Sequence, residues 1–227
     1  MLKAQLSNIV IWAILWGATF GLFFLIFTSE DYVKRYIWVS AYYMVGAIFA
    51  FLVFKERLLK LLTDFTAQPL IILAVVAISQ VAAHYYLPKC IKEPTEYFKR
   101  YPKRSYLNLS FKRLISKSIE LITQQMFIIL LTLFLSDAGL RLTQIVMVFA
   151  LIFGVVHIPL IFIERWWTSW YFVALSFVAS AVFPTLILKV RYGFVYGYII
   201  HWVFYTFISI GFWIVYNYRH NLWPKQS

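Results

Sequence analysis

Charge is scarce in this sequence. Only 13% of its 227 residues are Asp, Glu, Lys or Arg, and just nine are acidic. Soluble domains carry roughly a quarter. That shortage excludes both an ordinary cytosolic enzyme and a disordered chain. Cysteine is nearly absent: Cys90 stands alone, so neither an internal disulfide nor a disulfide scaffold is available. There is no low-complexity tract, no clear internal repeat and no stretch polar enough for a soluble domain. Nor is a cleavable signal peptide expected. The first apolar run, 9–27, is too long for a signal core and is followed by charges rather than a small-residue cleavage site.

What fills the chain instead is apolar. Hydrophobic residues make up 63% of it and the mean hydropathy is +0.77. Aromatics reach 21%, with 22 Phe, 16 Tyr and 9 Trp. Such rings suit the interface belts of a bilayer, apolar at one end and wet at the other. At about 20 apolar residues per crossing, the length holds roughly six to eight helices. Spans are read at 9–27, 36–54, 69–87, 114–135, 143–163, 168–188 and 193–217. Backbone groups in lipid must pair within their own segment, so these are helices. The reading is an all-α, polytopic integral membrane protein with about seven transmembrane helices. Residues 1–113 form N-terminal membrane helices with a basic loop, and 114–217 a four-helix core. Pro184 is expected to break or shorten the sixth helix.

The net charge is +12, concentrated in a few connections. The longest, 88–113, carries Lys89, Lys92, Lys99, Arg100, Lys103, Arg104, Lys112 and Arg113 against Glu93 and Glu96, interleaved with Tyr97, Phe98, Tyr101 and Tyr106. Bases and rings together can grip nucleic acid. Beside a membrane span, anionic lipid is the better-matched partner. Lys and Arg favour this side of the membrane, so the positive-inside rule places the C-terminus in the cytoplasm and the N-terminus outside.

Ionisable groups inside a bilayer are costly and are functional candidates. Glu120 is the one acid within an apolar span; His157 and His201 are the intramembrane histidines, with His84 near a span end and His220 in the tail. Glu120 and Gln124 are one helical turn apart and share a face, with Gln125 on its flank. A structural network joining helices explains such residues at about 0.6 kcal/mol per bond. Alternatively Glu120 reaches the interface beside Lys117. Three spans contributing polar groups favour a site. If Lys112, Arg165 and Arg219 mark the membrane edge, Glu120 and His157 lie about 12 Å deep, Gln124 about 18 Å, Tyr205 about 21 Å and His201 about 27 Å. That count puts His201 too far from the others for a compact site.

Phe153-Gly154-Val155-Val156-His157, followed by Ile158-Pro159, resembles the Phe-x-x-x-His motif of the CPBP family of intramembrane proteases, which includes the Rce1-type CAAX prenyl endopeptidases and the bacterial Abi proteins. Arg191-Tyr192-Gly193 and the run from His201 to Tyr205 are similar to that family's last motif, His-x-x-x-Asn. The likeness covers about 114–207. It implies an intramembrane peptidase in a bacterial cell membrane, acting on a membrane-associated or lipidated peptide. The departures fall on the chemistry. The family's Glu-Glu-x-x-x-Arg aligns with Gln124, Gln125 and Ile129, and the last asparagine with Tyr205. Carried over, His157 helps activate water and His201 polarises the scissile carbonyl.

An amide cannot serve as a base near neutral pH. Two accounts follow. Either Glu120 supplies the carboxylate one turn away, with Gln124 and Gln125 orienting water or peptide and Tyr205 donating to the oxyanion. Or catalysis is lost and the fold serves as a binding or assembly partner. A small transporter is a third reading, weakened by the lack of repeat symmetry. No cofactor is expected, although a divalent metal held by His157 and His201 stays open as an alternative.

Overall fold

The computed structural model describes residues 2–28, 30–63, 65–101, 104, 107–157 and 166–222, with side chains left out at 2–5, 156, 166–172 and 220–222. Ten helices appear among the described residues, and no strand. They are α1 Leu2–Gly21, α2 Phe23–Ile26, α3 Asp31–Lys34, α4 Tyr36–Lys60, α5 Ala67–Cys90, α6 Thr95–Arg100, α7 Phe111–Asp137, α8 Leu142–His157, α9 Trp166–Lys189 and α10 Gly193–Leu222. Among the described residues, five stretches are long and apolar enough to cross a bilayer: Leu6–Ile26, Tyr36–Lys60, Ala67–Cys90, Phe111–Asp137 and Gly193–Arg219. Leu142–Val155 and Val173–Lys189 are shorter apolar helices. The protein is an all-α, polytopic membrane protein. All seven expected spans fall on helices, except that 158–163, with Ile158, Pro159 and the edge residue Arg165, lies outside the described residues.

The central element is α7. It packs against α1, α3, α4, α5, α8, α9 and α10. Its start is set by Ser110, whose hydroxyl accepts from the Arg113 backbone N–H at 3.4 Å and satisfies one of the orphan donors of the first turn. Its end is set by Gly139, at φ +88. There Leu140 N–H donates to Leu135 and Gly139 N–H to Ser136, the paired closure that a left-handed residue permits. The second half of α7 supplies Phe127, Leu130, Leu131 and Phe134 to a core shared with Trp12, Phe54, Ile145, Phe149 and Phe183. Its first half is polar and faces α10.

Two expectations are corrected. Pro184 does not break its helix: α9 is continuous from Trp166 to Lys189 with the proline inside it. α9 packs against α7, α8 and α10, and a membrane helix tolerates a proline where neighbouring helices or small local adjustments accommodate the freed carbonyl. The sharp turn comes later, where Tyr192 takes φ +59 and Gly193 lies against the Leu186 carbonyl too closely for any Cβ. The counted depths of Tyr205 and His201 are also overturned. α10 overshoots the start of α7. Trp213 Nε1 donates to the Leu107 carbonyl at 3.0 Å and Asn217 Nδ2 to the Lys92 carbonyl at 2.9 Å. Arg219 therefore stands beyond the level of Lys112, and counting inward from it exaggerates depth.

Candidate functional site

On α7, Lys117, Glu120 and Gln124 recur at spacings of three and four, which stacks them on one face. That face meets α10 along a seam. Lys117 Nζ donates to both carboxylate oxygens of Glu120 at 2.9 Å. Gln124 Nε2 donates to Oε1 at 2.6 Å. The Tyr32 hydroxyl, from α3, lies 3.2 Å from the Tyr43 hydroxyl. Burial first, and the Glu120 charge second, push Tyr32 well above the usual tyrosine range, so its proton stays on. The Lys117 ammonium sits 4.1 Å from the Tyr205 ring centroid and 5.5 Å from that of Tyr32. Glu120 is only 4% exposed. A buried carboxylate survives only when paired and hydrogen-bonded, and this one has an ammonium and an amide.

One turn beyond Tyr205 on the same face of α10 lies His201. Its ring stacks on Tyr205 at 5.5 Å and tilts against Phe183 at 5.2 Å. Its Nδ1 is buried without a hydrogen-bond partner. A further turn along is Gly197. A Cβ there would meet Gln125 Nε2 at 2.5 Å, so the missing side chain is what admits the Gln125 amide. Gln125 is 3% exposed, with neither amide atom hydrogen-bonded.

The seam thus gathers Glu120, Gln124, Tyr205 and His201, with Gln125 at its deep end. His157, at the end of α8, is half-buried and pairs Nδ1 with the Phe153 carbonyl at 2.6 Å. That bond occupies Nδ1 and leaves Nε2 for other contacts. It makes no hydrogen bond to Glu120. Among the described residues, no three His, Cys, Asp or Glu side chains group as a metal set.

Several participants escaped the sequence reading. Tyr32 and Tyr43 carry no periodic signal, since one lies on a four-residue helix between spans. A second buried polar set joins α5 to α10. Thr206 donates to Gln80 Oε1, His84 Nδ1 lies 2.9 Å from the Gln80 carbonyl, and both Gln80 and His84 are buried. Their spacing of four in an apolar span was the available signal.

Fold and seam together define a polytopic helical membrane protein with a buried, largely self-neutralised polar cluster between its central and last helices. No protein-family model matches the chain, no curated protein is similar to it, and no solved structure matches its fold.

Proposed function

We propose that this chain is a non-hydrolytic membrane protein of CPBP type that works as a binding or assembly partner within the bilayer. One observation carries the reading: Lys117 and Gln124 occupy the Glu120 carboxylate. A general base needs a lone pair aimed at water and within reach of its imidazole partner. Here those lone pairs hold an ammonium and an amide, while Gln124 and Gln125 stand where the family has glutamates.

A second reading, an intramembrane peptidase, is favoured by the resemblance that His157 and His201 carry and by the unpartnered Gln125 amide. It requires Lys117 to leave Glu120 before water can enter.

The two readings separate on Glu120→Gln. In reconstituted membranes the expected result is no protein-dependent peptide release by mass spectrometry, together with a lower unfolding temperature for the variant. Cleavage by the wild-type chain that disappears in Glu120→Gln at unchanged unfolding temperature would establish the peptidase.

A further inference from the structure

The outward face of α5 carries a feature that the α7–α10 seam does not use. Ala77, Ile78, Val81, Ala82, Tyr85 and Tyr86 line an open groove of about 550 Å³. They fall in two adjacent rows at a spacing of four, so the groove runs along the helix. Ile78, Tyr85 and Tyr86 are 69%, 56% and 61% exposed. From Ala77 to Tyr86 the helix rises about 13 Å, close to one leaflet of a hydrocarbon core ~30 Å thick. The two tyrosines stand at one end of it, where amphipathic rings meet headgroups.

One turn beyond them is Lys89. Its ammonium lies 3.5 Å from the Tyr85 ring centroid and 5.8 Å from that of Tyr86. Lys92 follows, exposed. Neither lysine has an ion-pair partner among the described residues. The nearby acids are engaged elsewhere: Glu93 accepts from Asn108 at 2.8 Å and Glu96 pairs with Lys99 at 3.1 Å. The segment that presents these bases is held in place. Tyr97 packs on Phe212 at 4.7 Å between ring centroids, and the Lys92 carbonyl accepts from Asn217.

We infer that this face of α5 retains an anionic phospholipid, with an acyl chain along the 77–86 groove and the phosphate at Lys89 and Lys92. An apolar strip one leaflet long, ending at two exposed lysines of which Lys89 lies over tyrosine rings, matches that amphiphile in length, polarity and charge. A partner helix would need neither the cations nor the match to one leaflet.

The test uses the full chain reconstituted in vesicles of equimolar phosphatidylglycerol and phosphatidylcholine with identical acyl chains, then extracted in mild detergent for native mass spectrometry. One phosphatidylglycerol per chain should be retained, preferred over phosphatidylcholine by about fivefold for each lysine engaged. Lys89→Gln with Lys92→Gln should abolish the preference, and Lys89→Arg should keep it. Both lysines are exposed, so the fold survives these changes. Ala82→Phe, which fills the groove, should lower retention of both lipids. Equal retention of the two lipids, or a preference unchanged in the double lysine variant, would overturn the inference. So would an ineffective Ala82→Phe combined with displacement of the lipid by inorganic phosphate, which would mark an ion site alone.

Discussion

Glu120 and Gln125 lie little more than one turn apart on α7 and are equally buried, at 4% and 3% exposure, yet one is saturated with partners and the other has none. Lys117 and Gln124 converge on the carboxylate. Gln125 rests against the bare backbone of Gly197 with both amide atoms unpaired. The difference follows from desolvation. An ionised carboxylate out of water is untenable without a counter-charge, whereas a neutral amide costs only about 1–3 kcal/mol when unsatisfied. The fold had to complete the first cluster in order to form. It could leave the second open.

The largest expected effect breaks the completed cluster. Lys117→Met or Glu120→Leu alone should cost about 3–5 kcal/mol, because each leaves the other charge buried and alone. The double variant should recover most of that loss. Chemical or thermal unfolding in detergent, arranged as a double-mutant cycle, measures the coupling; additive losses would mean that the two groups do not depend on one another.

A smaller loss, about 1.5–3 kcal/mol, is expected from Gln124→Met, which removes a hydrogen bond to a charged acceptor. Next comes Gly197→Ala. Its methyl would meet the Gln125 amide at 2.5 Å and force that flexible side chain to rotate away, at about 1 kcal/mol, and adding Gln125→Ala should relieve the strain. An equal loss in both backgrounds would show that the methyl collides with something else.

The smallest effect sharpens the comparison most. Gln125→Met should leave stability unchanged or raise it, since an unsatisfied buried amide is replaced by an apolar chain of similar size. A loss as large as that of Gln124→Met would reveal that Gln125 holds a partner in the membrane, and would strengthen the case for a ligand at the deep end of the seam.

The all-helical membrane architecture was legible because apolar runs of bilayer length leave the backbone no other way to pair. The shared face of Glu120 and Gln124 was legible too, from a spacing of four. Less accessible was the register of α10 against α7. Residue counting assumes that helices end at the membrane edge, and α10 continues past it to meet Leu107 and Lys92. The apparent remoteness of His201 was a consequence of that assumption. Pro184 misled for a related reason: proline breaks an isolated helix in water, and α9 has neighbours.

By itself the sequence determined the solvent, the secondary structure and the short list of polar groups that the membrane would have to accommodate, because hydropathy and helical periodicity are properties of single segments. Only the tertiary structure decided which of those groups meet. Lys117, weighed from sequence as a route to the interface, became the counter-ion of Glu120 when Tyr205 and Tyr32 closed over its ammonium. Gln125 was left unpaired because Gly197, rather than a hydrogen-bonding side chain, arrived opposite it. Pairing across a seam depends on the rotation and register of two helices, and those are set by the packing of the whole bundle rather than by either sequence segment alone.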